Sequence, residues 1–250
     1  MPFIRSKSGF TVVELLIVTP FVVLIVATIV GLVVSLTGDA LVARERTNTV
    51  FIAQNALDRI EQDVRLSNTI LETSGTLPAP QGRNSSFTGT TAFATPASYL
   101  VLEQFGTTQS PYNSTRSLVY NANQPNPCGS DQARNIPMSI KIIYYLDGTT
   151  LKRRVIVPTS GPFCGDVWQR NTCKTGLNTG NQCKAYDEVI AENVSSISYA
   201  YYQAPGDASP VSSPDATTRT VLATITVTKP VAGRTITNTS VMRVSTTALE

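Results

Sequence analysis

An uncharged apolar run over residues 15–36 stands directly behind a single carboxylate, Glu14, and this pairing constrains the chain more than any other feature. The run is 22 residues long, and about 20 residues of helix, rising 1.5 Å each, cross the hydrocarbon core of a bilayer. An ionised carboxylate inside a membrane costs roughly 2.5–3.5 kcal/mol, so a lone intramembrane Glu usually has a partner and a task. Ahead of it, residues 1–9 carry Arg5 and Lys7 and no acid, which holds the N-terminus on the cytoplasmic side. A cleavable secretory signal would have an apolar core of about 7–15 residues with a small-residue cleavage site after it, and this run is too long for that. A plain signal anchor would account for the length and the basic leader, but not for Glu14.

Gly9-Phe10-Thr11-Val12-Val13-Glu14, between a basic leader and a membrane-length helix, resembles the prepilin signature of type IV pilins and type II secretion pseudopilins. The resemblance implies that a membrane-embedded prepilin peptidase cuts between Gly9 and Phe10 and methylates the new Phe10 amine. Glu14 would then be the fifth residue of the mature chain. Its implied role is to meet the charged amine of a neighbouring subunit in a filament core, where two groups costly alone in lipid neutralise each other. A second stretch, residues 54–65, contains Ile60-Glu61-Gln62-Asp63-Val64-Arg65 and looks like the helix segment of J-type pseudopilins and PilW-type minor pilins, with their apolar-x-x-Asp-apolar-Arg element. Residues 189–202 and the run Val241-Met242-Arg243-Val244 are similar to the same group more loosely.

The resemblance carries an expected fold and setting. The fold is α+β and pilin-like: a leader over 1–9, a transmembrane helix over 10–37, its amphipathic continuation over 38–74, and an extracytoplasmic β-rich head over 75–250. Implied partners are the prepilin peptidase, other pilins or pseudopilins, the membrane, and indirectly an assembly ATPase and inner-membrane platform proteins. The expected location is the cytoplasmic membrane in single-pass form, then a pilus or pseudopilus at the cell surface.

Composition narrows the chemistry. Of 250 residues, 42% are apolar and 15% charged, enough for one sizeable domain behind the anchor. The formal charge of +3 falls to +1 once Arg5 and Lys7 leave with the leader, so a basic nucleic-acid binder is not expected. There is no histidine, which removes His-based acid/base chemistry, Ser-His-Asp and Cys-His nucleophiles, and the usual His-containing metal sites. Neither an enzyme nor a cofactor is expected. Cys128, Cys164, Cys173 and Cys183 lie beyond the apolar run and are even in number, which fits disulfides in an oxidising compartment. No pair of them has the two-to-four-residue spacing of a zinc site. Sequons at Asn84, Asn113, Asn193 and Asn238 are short pattern matches that arise readily by chance.

Past Leu36 the helical pattern turns amphipathic. Val50, Ala53, Leu57, Ile60, Val64 and Leu71 recur at three- and four-residue steps with only Ser67 interrupting, which predicts one buried stripe. Arg59 with Asp63 and Glu61 with Arg65 are four apart and expected to pair across a turn. The helix is expected to run from Phe10 to about Glu72, ending at Thr73-Ser74-Gly75 and the prolines behind, with bends at Pro20 and Gly31.

The remainder reads as antiparallel β, with strands over 99–105, 116–121, 138–146, 150–157, 194–203, 220–229 and 235–246, rich in Ile, Val, Thr and Tyr and bounded by Gly, Pro, Asn and Ser. Asp147-Gly148 is the expected tip of a hairpin over 140–157, and Lys152, Arg153 and Arg154 read as charges guarding a sheet edge. The open end of that hairpin brings the flanks near Cys128 and Cys164 together. Of three connectivities, Cys128–Cys164 with Cys173–Cys183 is therefore the preferred one. Three functional readings remain: a minor pilin or pseudopilin, a major fibre subunit, or a membrane-anchored adhesin or binding module that does not polymerise.

Overall fold

The computed structural model describes residues 11–75, 77, 81, 93, 99–121, 136–158, 163–174 and 183–247. One helix, α1 (Val12–Arg65), is followed by β1 (Thr69–Leu71), β2 (Leu100–Phe105), β3 (Tyr120–Asn121), β4 (Ser139–Asp147), β5 (Thr150–Ile156), β6 (Phe163–Cys164), β7 (Thr172–Cys173), β8 (Ala185–Tyr186), β9 (Glu188–Ala191), β10 (Val194–Tyr202), β11 (Thr220–Val231) and β12 (Arg234–Ser245). The class is α+β, as expected.

The 54 residues of α1 extend about 80 Å at 1.5 Å per residue. Its first half stands clear of the head: the apolar side chains from Val12 to Leu36 are exposed, in a helix long and apolar enough to cross a membrane. In its second half Ala53, Leu57, Ile60 and Val64 of the anticipated stripe are buried, joined by Ala56, whereas Val50 is half-buried and Leu71 falls in β1.

The helix ends at Arg65, seven residues before the expected end at Glu72. Ser67 Oγ donates back to Val64 O at 2.7 Å, and Asn68 N–H already donates to Glu103 O at 2.8 Å. Thr69, Ile70 and Leu71 then pair with β2 as an edge strand. Thr and Ile at consecutive positions suit the pleat better than a helix, and the cross-strand bonds replace those the helix gives up. Ile70, off the helical stripe, becomes a fully buried core residue.

Two larger antiparallel sheets form the head, beside two-stranded pairings of β3 with β6, antiparallel, and β7 with β8, parallel. The first has the order β1-β2-β4-β5-β9 and the second β10-β11-β12. The chain crosses between them at Glu192-Asn193, where Asn193 takes φ 60° and Val194 N–H donates to Thr149 O at 2.9 Å. The core lies between α1 and both sheets, joining Ile60 and Val64 to Leu100, Ile142 and Leu151 of one sheet and to Ile197, Ala223 and Ile225 of the other. Each fully buried Leu, Ile or Val contributes roughly 1.5–3 kcal/mol.

Six of the seven expected strands form within two residues of their expected ends. The seventh, over 116–121, is reduced to Tyr120–Asn121 with single bridges at Thr107–Leu118 and Tyr120–Pro137, because Asn113 Oδ1 accepts from both the N–H and the Oγ1 of Thr115 and holds a turn there. The 140–157 hairpin turns at Gly148-Thr149, between the terminal pair Asp147 and Thr150, one residue later than anticipated. Gly148 supplies φ 64°, as a turn with glycine first requires.

Candidate functional site

At the N-terminal end of α1, Thr11 is the N-cap and Glu14 completes a capping box. The Glu14 carboxylate accepts from Thr11 N–H and from Thr11 Oγ1, both at 2.9 Å, while Glu14 N–H donates to Thr11 Oγ1 at 3.3 Å. This satisfies backbone donors that a helix start leaves open and aims the carboxylate toward the N-terminal end of the chain. Gly9 and Phe10, the expected cleavage and methylation residues, lie outside the described residues. Along the exposed half, Thr19, Thr28 and Thr37 donate their hydroxyls to Leu15 O, Ile25 O and Val33 O, so these polar groups are satisfied within the helix, as an apolar surrounding demands. Pro20 lies inside α1 without ending it.

The opposite end of α1 is locked to the head by charge. Asp63, 2% exposed, does not pair with Arg59. Its carboxylate accepts from Tyr144 Oη at 2.6 Å and from Arg153 Nε at 2.5 Å and Nη2 at 3.3 Å, and its backbone carbonyl accepts from Gln104 Nε2 at 2.8 Å. Arg59 reaches across to Glu188 at 3.3 Å, which Arg153 Nη1 also contacts at 3.3 Å. The other anticipated pair, Glu61 with Arg65, forms at 2.6 Å. Burial, then the negative charge of Asp63, push the Tyr144 phenol well above its ordinary value. Burial works against the Arg153 charge, but Asp63 beside it and their hydrogen bond hold its pKa above that of a free guanidinium.

The cluster Lys152, Arg153 and Arg154 therefore does not guard an edge, since β5 lies between β4 and β9. Successive side chains on a strand face opposite ways. Arg153 meets α1, and Arg154 enters the other face, where it pairs with Asp187 at 2.6 Å with both side chains 1% exposed. Tyr145 and Thr172 complete that network through Asp187. Lys152 pairs with Asp147 at 2.8 Å. Two adjacent arginines on a central strand call for two buried acids, but these lie 90 and 33 positions away in sequence, where no local spacing reveals them.

Cys173 and Cys183 are joined by a disulfide, as preferred. Cys164 is also disulfide-bonded, and Cys128, its anticipated partner, lies outside the described residues.

These features define an α+β protein with a membrane-span-capable N-terminal helix, a carboxylate at that helix's head and a disulfide-bonded antiparallel head. Compared with models of known protein families and with curated proteins, the chain matches none.

Proposed function

We propose that this chain is a prepilin-like structural subunit, a minor pilin or pseudopilin of a type IV pilus, competence or type II secretion filament. The observation that carries this reading is α1 itself. One unbroken helix presents a fully exposed apolar half headed by Glu14 and a second half packed on an antiparallel head. An apolar surface of that extent needs lipid before assembly and other apolar helices afterwards. In this reading prepilin peptidase cuts after Gly9, Phe10 carries the methylated amine, and the head faces the extracytoplasmic side. Glu14 accepts the Phe10 amine of an adjacent subunit in place of, or together with, its Thr11 bonds.

The test is Glu14→Ala in the native host. Processing and membrane insertion continue, and the amount of the chain recovered with sheared filaments or priming complexes falls at least about tenfold, the loss expected for a charge-assisted bond in lipid. Recovery at wild-type level would contradict the assigned role.

A further inference from the structure

Beside the lock on α1 a cleft of about 390 Å³ opens between the helix, the turn at Pro111-Tyr112 and the segment 168–170. That volume is within the range of small-ligand sites. Its floor holds Arg59, Asp63, Arg153 and Glu188 and its rim adds Trp168 and Arg170. Arg153 is committed to Asp63 and Glu188. Arg170 is exposed and, among the described residues, has no ion-pair partner. Arg59 uses its two terminal nitrogens on Tyr112 and Glu188, while its Nε is buried without an acceptor.

The rim is already fixed. Trp168 N–H donates to Thr107 O at 2.8 Å, and the Gln169 side chain exchanges two bonds with Thr107 at 2.9 and 3.1 Å. Tyr112 Oη donates to Gln62 at 3.0 Å. Trp168 nevertheless stays 53% exposed. With three guanidiniums against two carboxylates, one positive charge remains over.

From these groups we infer that the cleft binds an acidic peptide segment, a carboxylate engaging Arg170 while a neighbouring apolar or aromatic side chain lies on Trp168. The charge without an ion pair decides the class. Arg170 offers only donors, which match an acceptor-only carboxylate. The Trp and Pro walls favour a ligand with an apolar body over a bare phosphate. This inference stands on the head alone and holds whether or not the chain enters a filament.

Trp168 is the single tryptophan of the chain, so its emission reports occupancy. Full-length protein in detergent micelles would be titrated with N-acetyl-Glu-Phe-amide, its Gln counterpart, glucuronate and inorganic phosphate, with calorimetry as a second readout. The Glu peptide gives a saturable response, and the Gln peptide binds at least about tenfold more weakly, as loss of a charged bond requires. Arg170→Gln loses the same factor toward the Glu peptide with an unchanged unfolding temperature. Three results would overturn the inference: no saturable signal or heat by about 10 mM peptide, equal binding of the Gln peptide, or tighter binding of glucuronate or phosphate.

Discussion

Arg153, on the second strand of the central hairpin, holds Asp63 on the helix through two nitrogens, at 2.5 and 3.3 Å, across 90 positions of sequence. The side chains are 13% and 3% exposed. The helix that carries the apolar half thus meets the head through a charge pair set beside the apolar stripe, with Tyr144 as a third member.

Asp63→Ala leaves Arg153 buried without its main partner and is expected to destabilise the protein by about 3–5 kcal/mol. Removing the second charge as well, in Asp63→Ala with Arg153→Met, recovers more than half of that loss, because the uncompensated charge is gone. Denaturant unfolding of the full chain in detergent measures both. A loss under about 1 kcal/mol for the single variant would mean the pair behaves as a surface ion pair.

The hairpin between β11 and β12 turns at Ala232-Gly233, with φ of 50° and 76°. A β-carbon in the left-handed region costs roughly 1–2 kcal/mol, partly offset by the greater freedom that glycine has when unfolded. Ala232→Gly is therefore expected to raise stability by about 0.5–1 kcal/mol. An unchanged or lower unfolding temperature would contradict it.

Stability should be flat between about pH 5 and 8, since no histidine is present to titrate there. Hydrogen bonds from Lys152 and Lys174 hold Asp147 below the usual carboxylate range, and the bond from Lys229 does the same for Glu45. A depressed folded-state pKa gives stability that is complete above the unfolded value of about 4 and is lost as pH falls through the folded one. Burial raises Tyr144, Tyr145, Tyr199 and Tyr201 above their ordinary value. Their contribution is complete below the unfolded pKa of about 10 and is lost as pH climbs toward the folded values. Unfolding measured against pH should show shoulders at both ends, and phenolate absorbance should report part of the tyrosines only on unfolding. Full ionisation of all nine tyrosines near pH 10 in folded protein would contradict this.

What the sequence reveals depends on how local the physics is. The stripe of Ala53, Leu57, Ile60 and Val64, the Gly148 turn and the long strands follow from periodicity and turn chemistry, and each is present. The helix end is displaced because Thr69-Ile70-Leu71 is equally compatible with helix and strand until β2 offers its edge. Arg153 and Arg154 read as surface charge because their acids come from α1 and β9's approach, far along the chain. The short strands β6 to β8 are stabilised by the neighbouring disulfides and pairings rather than by propensity. Trp168 and Arg170 have no sequence signal beyond their type, since only the fold sets them against Arg59.

The most direct test of the proposed function is the N-terminus of the mature chain. Intact-mass and N-terminal peptide mass spectrometry would be applied to protein isolated from a host that carries the prepilin peptidase. The account predicts a chain beginning at Phe10 with a methylated amine and still containing residues 11–36. A chain retaining Met1, or one cut beyond Leu36, would contradict it.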